Sequence, residues 1–230
     1  QRQMCIRDSC SLVPGEDRLT RCAVMRVDRR GKMVLSRLER AVIRSHRRLT
    51  YEEAQGVLDA GGKEPEAVLS ETEALLRECW KLAGILRKRR FSEGALDLDF
   101  PEIRMELDDL GRAVGYRRND YNESHQLIEE FMLVANEAVA RAVKNAMRPA
   151  IYRVHEDPDH DKIHEFTELA RMHGYEPGDL LNKKHIQRLL DECRGHPEEH
   201  AIKLGLLKSL KRASYREEPI GHYGLSLIHI

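Results

Sequence analysis

Tyr51 follows Arg47, Arg48 and Thr50. An aromatic ring beside guanidinium groups suits a nucleic-acid base stacked on the ring, with the cations on phosphate. The plainer alternative is a first-turn tyrosine that packs its ring on the preceding hairpin. A second candidate lies in Ser124 to Asn136, SHQLIEEFMLVAN, where Glu129 and Glu130 interrupt an apolar helical face. A carboxylate at a buried edge costs free energy unless it is paired, hydrogen-bonded or used on a ligand. Glu129 also reads as a helix carboxylate paired with Arg117, Arg118 or Lys144. His155, Asp157, Asp159, His160, Asp161 and His164 form a third group, and His160 and His164 share a helix face as zinc ligands do. The pattern is not HExxH, however. Capping and the helix macrodipole account for Asp159 and Asp161 at a helix start, so no metal is expected there.

The elements that must hold these residues are legible in outline. Arg21–Val27 and Lys32–Ile43 alternate around Asp28-Arg-Arg-Gly31, which predicts a β-hairpin with glycine at the turn. Thr50 reads as a helix N-cap, with Glu53 completing a capping box, and the helix from Tyr51 ends before Gly61-Gly62. A long helix is predicted from about Pro65 to Arg89, presenting Leu69, Leu76, Trp80, Ala83 and Leu86 at helical steps. Gly94–Met105 and Val114–Tyr116 read as strands around a turn at Asp108–Gly111. Leu127, Ile128, Phe131, Met132, Val134, Ala135, Ala138, Val139, Ala142 and Val143 predict an amphipathic helix laid on a core. Pro149 places its end near Met147. A strand at Ile151–Val154 follows, then helices at His160–His173, Lys184–Cys193 and Pro197–Lys211. The fold class is mixed α/β, helix-rich, with strands in antiparallel pairs.

Composition bounds the function without choosing it. The chain has 230 residues, of which 41% are hydrophobic, enough to bury a sizeable core. Lys+Arg and Asp+Glu both number 39, so net charge does not advertise nucleic-acid binding. Locally the balance differs: Arg26 to Arg48 holds nine Lys or Arg against two acids. Such a stripe suits phosphate contacts, and equally the wet face of a hairpin. The five cysteines show no CxxC spacing, which argues against a disulfide framework or zinc ribbon and for a reducing, cytoplasmic setting. No apolar run approaches a membrane span, and no signal peptide is visible.

The wording of SHQLIEEFMLVAN resembles the RNB domain of the ribonuclease II and ribonuclease R family. Further blocks read the same way, in the family's order: CSLVPGEDRLTRC at Cys10–Cys22, SHRRLTYEEA at Ser45–Ala54, RPAIYRVHEDP at Arg148–Pro158 and GHYGL at Gly221–Leu225. The bacterial ribonuclease R branch looks closest. The resemblance implies a processive, magnesium-dependent exonuclease that shortens single-stranded RNA from its 3′ end, acting as a monomer and releasing nucleoside 5′-monophosphates.

The resemblance also implies roles for particular residues. Tyr51 of the RLTY block would stack on a base, with Arg47 and Arg48 beside it. Glu129, the first glutamate of LIEE, would line the active-site pocket and touch the terminal nucleotide. Glu130 and Asn136 would hold local structure by hydrogen bonds. Leu98, in GALDLDFPE, stands where relatives often carry a phenylalanine that stacks on the last bases. A leucine packs against a base but cannot π-stack, so that side of the clamp departs from the family.

Hydrolysis in the family uses an aspartate cluster, D-x5-D-x-D-D, upstream of the CSL block, to hold magnesium. The residues before Cys10 contain no such spacing, and Asp108-Asp109 is no substitute. The SPIRRY block and the flanking OB-type domains are likewise outside the chain. It is therefore expected to be the central part of an RNB domain, residues 10–225, inactive by itself. QRQMCIRDS at residues 1–9 and the tail at residues 226–230 resemble translated sequencing-library adapter and are expected to be non-native. Two rivals remain: a non-catalytic RNA-binding relative, and a metal-binding helical protein using His155, His160 and His164.

Overall fold

Two hairpins in this chain close by the same device. In the computed structural model, which describes residues 11–60, 70–96, 103–118, 121–218 and 220, strands β1 (Asp17–Val27) and β2 (Met33–Arg44) pair antiparallel. The Asp28 carboxylate accepts from the Arg30 and Lys32 amides, each at 2.9 Å, and Gly31 takes the left-handed conformation at φ 82°. Strands β3 (Ile103–Leu107) and β4 (Ala113–Arg118) repeat the pattern. There Asp108 accepts from Leu110 at 2.9 Å and Arg112 at 2.8 Å, and Gly111 sits at φ 76°. In both, the register slips by a residue next to the turn, as a glycine bulge requires. The strand expected from Gly94 begins later, at Ile103: Ala95 and Leu96 are buried outside any strand, and residues 97–102 lie outside the described residues.

Helix starts follow from caps. Helix α1 (Tyr51–Asp59) opens with the expected box: Thr50 Oγ1 accepts from the Glu53 amide at 3.2 Å, and Glu53 Oε2 accepts from the Thr50 amide at 2.7 Å. Helix α2 (Glu71–Ser92) opens with a second box, between Ser70 and Glu73. That start is later than the expected Pro65, and residues 61–69 lie outside the described residues. Helix α3 (Glu123–Asn145) ends before Met147, which adopts φ 49° two residues ahead of Pro149. Helices α4 (His160–Met172), α5 (Lys183–Glu192) and α6 (Glu199–Ser209) lie where the periodicity placed them. A final strand pair, β5 (Tyr152–Val154) with β6 (Ser214–Arg216), was only half foreseen, since the sequence reading held no β6. Among the described residues the fold is thus mixed α/β, with six helices and strands in antiparallel pairs.

The chain divides into two units. The first comprises residues 1–87 with 119–139, and its core draws on Ala54, Ala83, Leu86, Leu127 and Val134. The second comprises residues 88–118 with 140–230. Its core is built from Leu96, Phe166, Leu180, Ile186, Leu190 and Ile202, among others. The apolar stripe of α3 is wider than what is covered: Leu127, Val134 and Ala138 are buried, whereas Ile128, Met132 and Val139 are exposed. At 3.6 residues per turn these lie on one flank of the helix, beside the buried line of the expected amphipathic face.

Candidate nucleic-acid interface

The first unit gathers the candidate residues at the start of α3. Asn122 precedes that helix, and its backbone carbonyl takes the amides of His125 and Gln126, both at 3.1 Å. Its side-chain oxygen accepts from Ser124 Oγ at 2.7 Å and lies 2.8 Å from His125 Nδ1. Helix α1 is tied to the same turn by Gln55, whose Oε1 accepts from the Ser124 amide at 3.0 Å and whose Nε2 donates to Asp59 at 2.7 Å. These bonds place Tyr51, first residue of α1, against His125.

Tyr51 stacks on that imidazole, with ring centroids 3.9 Å apart and planes 12° from parallel. The ring is 44% exposed. The stack on His125 is a contact that neither expectation for Tyr51 included. Tyr121 leans on the same imidazole at 5.9 Å and 38°, and its hydroxyl donates to Glu129. The structure thus links Tyr51 to Glu129 through two rings, His125 and Tyr121. Sequence reading missed His125, Tyr121, Asn122 and Gln55. The signal lay in Asn122 just ahead of a helix, a residue type that caps, but nothing local joins it to Tyr51.

The adjacent glutamates separate. Glu130 is the buried one, at 2% exposure, with Arg87 of α2 at 3.8 Å, while Glu129 is half-buried beside Tyr121. Asn136 is exposed, well round the helix from the buried line through Leu127, Glu130 and Val134. Arg47 and Arg48 are exposed in the segment leading to the Thr50 cap. Arg47 lies near Glu73, whose carboxyl is held below the usual carboxylate range first by the Ser70 amide and further by the Arg47 charge. Leu98 lies outside the described residues. The basic stripe is partly neutralised, with Arg44 on Asp17 at 2.7 Å and Arg37 on Glu39 at 2.9 Å.

The histidine-rich segment serves other ends. Asp159 caps α4 by accepting from the Asp161 amide at 3.0 Å, as expected. His155 is half-buried beside cations: burial pushes its imidazole below the ordinary histidine value, and Arg153 and Lys183 push the same way. Among the described residues, no group of three or more His, Cys, Asp or Glu could hold a metal ion. The magnesium that the family resemblance implies therefore has no fitting donor set among them. No helix among them is long and apolar enough to cross a membrane.

The profile of one family, the RNB domain, matches residues 3–229. The chain belongs to the RNB domain family. Ribonuclease R of Aquifex aeolicus is 34% identical over 223 residues, covering 96% of this chain and 31% of that protein. Ribonuclease R of Thermotoga maritima is 35% identical over 221 residues, covering 94% and 31%. This RNB chain therefore spans about a third of the length of the curated relatives it matches. Among solved structures, Mycoplasma genitalium RNase R in complex with ribose-methylated single-stranded RNA superposes with a TM-score of 0.85. It is 24% identical, covering 95% of this chain and 34% of that one. Yeast Ssd1, a pseudonuclease, superposes with a TM-score of 0.72 at 18% identity, covering 98% and 28%. At those identities the likeness carries the RNB fold alone.

Proposed function

We propose that this RNB chain is part of a 3′-to-5′ exoribonuclease of the ribonuclease R type, which hydrolyses RNA to nucleoside 5′-monophosphates. Its share of the work is to receive the single-stranded 3′ end. The observation that carries this reading is a half-exposed ring, Tyr51, stacked on His125, with Tyr121 on the same imidazole and bonded to the Glu129 carboxylate. A ring face offers sequence-tolerant stacking, worth roughly 1–3 kcal/mol per base. A carboxylate accepts hydrogen bonds from ribose hydroxyls. Arg47 and Arg48, exposed just before Tyr51, suit the phosphate backbone.

Magnesium belongs to the same reading, as a Lewis acid on the scissile phosphate. The described residues offer it no donor set, so no step is assigned through it. Oδ1 of Asp108 is already engaged by the amides of Leu110 and Arg112 in the β3–β4 turn. A monomeric, cytoplasmic enzyme fits this reading.

One observation favours a second reading. The same fold occurs in a pseudonuclease, Ssd1, so RNA binding without cleavage is compatible with it. The experiment that decides is to express the full-length product of the gene and supply 5′-labelled single-stranded RNA with magnesium. Stepwise 3′ shortening, lost when the upstream aspartates are changed, supports the exonuclease. RNA binding with no shortening replaces it with the binding protein.

A further inference from the structure

We infer that His125 is a positioning residue for the RNA end, a strut that presents the outer face of Tyr51 and, through Tyr121, aligns Glu129. The inference rests on the RNA-binding reading above and adds to it a residue that touches no nucleotide. The geometry runs as a relay. The Asn122 side-chain oxygen can only accept, and already takes the Ser124 hydroxyl at 2.7 Å. His125 Nδ1, at 2.8 Å from the same oxygen, therefore carries the proton and donates. Asn122 is itself fixed by the helix amides its carbonyl receives. The imidazole plane is thus set by the first turn of α3.

What that plane does follows from its neighbours. Tyr51 lies on it nearly parallel at 3.9 Å and remains 44% exposed. Tyr121 meets it at 5.9 Å and holds Glu129 by its hydroxyl. Without the imidazole, an exposed tyrosine at the first position of a helix would sample several rotamers, and binding a base would have to order it. Preorganisation removes that cost. The Gln55 bond to the Ser124 amide keeps α1 and α3 together independently. Removing the imidazole should therefore loosen the rings and leave the helices in place.

The test uses the 230-residue chain and a single-stranded oligoribonucleotide bearing 2-aminopurine at its 3′ terminus, whose fluorescence falls when the base stacks. His125→Ala is expected to bind roughly tenfold more weakly, the scale of one stacking interaction, with most of the quenching gone. His125→Phe, which keeps a flat ring but cannot donate to Asn122, is expected to recover both in part. Thermal melts confirm that each variant is folded. The Tyr51 ring-proton shifts, read by NMR without RNA, report the stack itself and are expected to approach exposed-tyrosine values in His125→Ala but not in His125→Phe. If Tyr51→Ala weakens binding and His125→Ala does not, the base-stacking reading stands and the strut is overturned. A His125→Phe variant that binds no better than His125→Ala also overturns the strut. Unquenched wild-type chain, with the ring shifts in place, overturns the RNA reading and this inference with it.

Discussion

The ring of Tyr51 lies on the ring of His125 at a centroid separation of 3.9 Å, although one residue opens α1 and the other lies in the first turn of α3. The contact covers one face of the tyrosine, and the residue remains 44% exposed. Truncation at Tyr51 removes the ring while the Gln55 bond still holds the helices. Tyr51→Ala is therefore expected to weaken single-stranded RNA binding by roughly 1–3 kcal/mol, about 5- to 150-fold. Tyr51→Phe keeps the ring and is expected to stay within about threefold of the parent. Titration of a labelled oligonucleotide at fixed salt checks both, and equal affinities for Tyr51→Ala and the parent would remove the ring from the interface.

Much of the frame that holds this contact was written locally. Asp28 with Gly31, and Asp108 with Gly111, each predict a turn because a carboxylate can gather the turn amides and glycine can take positive φ. Thr50 and Glu53 predict a helix start by the same kind of short-range chemistry. Ser70 and Glu73 carry the same signal, but Pro65, a residue type suited to the first helical turn, competes with it in the sequence. What could not be read were relationships between distant residues. Tyr51 and His125 share no local pattern, so their stack appears only with the fold. Periodicity bounded the apolar stripe of α3 without saying that Glu130, and not Glu129, lies beneath it, because both border the same stripe. Strand β6 is three residues long, too short for alternation to register.

Glu130 stands in the first unit's interior with Arg87 of α2 at 3.8 Å. A buried carboxylate depends on its hydrogen bonds and counter-charges, so removing Arg87 weakens the support of a group that cannot reach water. Arg87→Met is expected to destabilise the chain by roughly 2–4 kcal/mol, and the double variant Arg87→Met with Glu130→Leu to recover much of that loss. Urea unfolding of the set measures the coupling. Additive losses would mean that the two side chains do not support one another.

Gly205 lies in α6 where a Cβ would come within 2.5 Å of Leu169 Cδ2 and 3.2 Å of Phe166 Cδ2. Helix propensity alone would favour alanine there by about 1 kcal/mol. Leu169 is only partly buried and can turn aside, but the Phe166 ring is held in the second unit's core. Overpacking of this kind costs about 1–3 kcal/mol, so Gly205→Ala is expected to destabilise by about 1 kcal/mol net. A melting temperature raised by the substitution would show that α4 and α6 part easily.

His155 gives the second unit a pH dependence with a definite sign. Burial holds its imidazole below the ordinary value of 6.5, and the Arg153 and Lys183 charges add to that. The unfolded chain therefore binds this proton more readily than the folded one. The stability that neutral His155 contributes is present above the unfolded value and is lost as pH falls through the folded one. Acidification from neutral pH to below 6.5 is thus expected to lower stability, beginning before the carboxylates protonate. His155→Gln, a neutral side chain that does not titrate, is expected to flatten that segment of the profile and leave the acid limb, to which Glu156 on Lys211 and Arg216 contributes, unchanged. Urea midpoints taken across the range from neutral to mildly acidic pH decide the matter. An unaltered slope in His155→Gln would assign the dependence to another group.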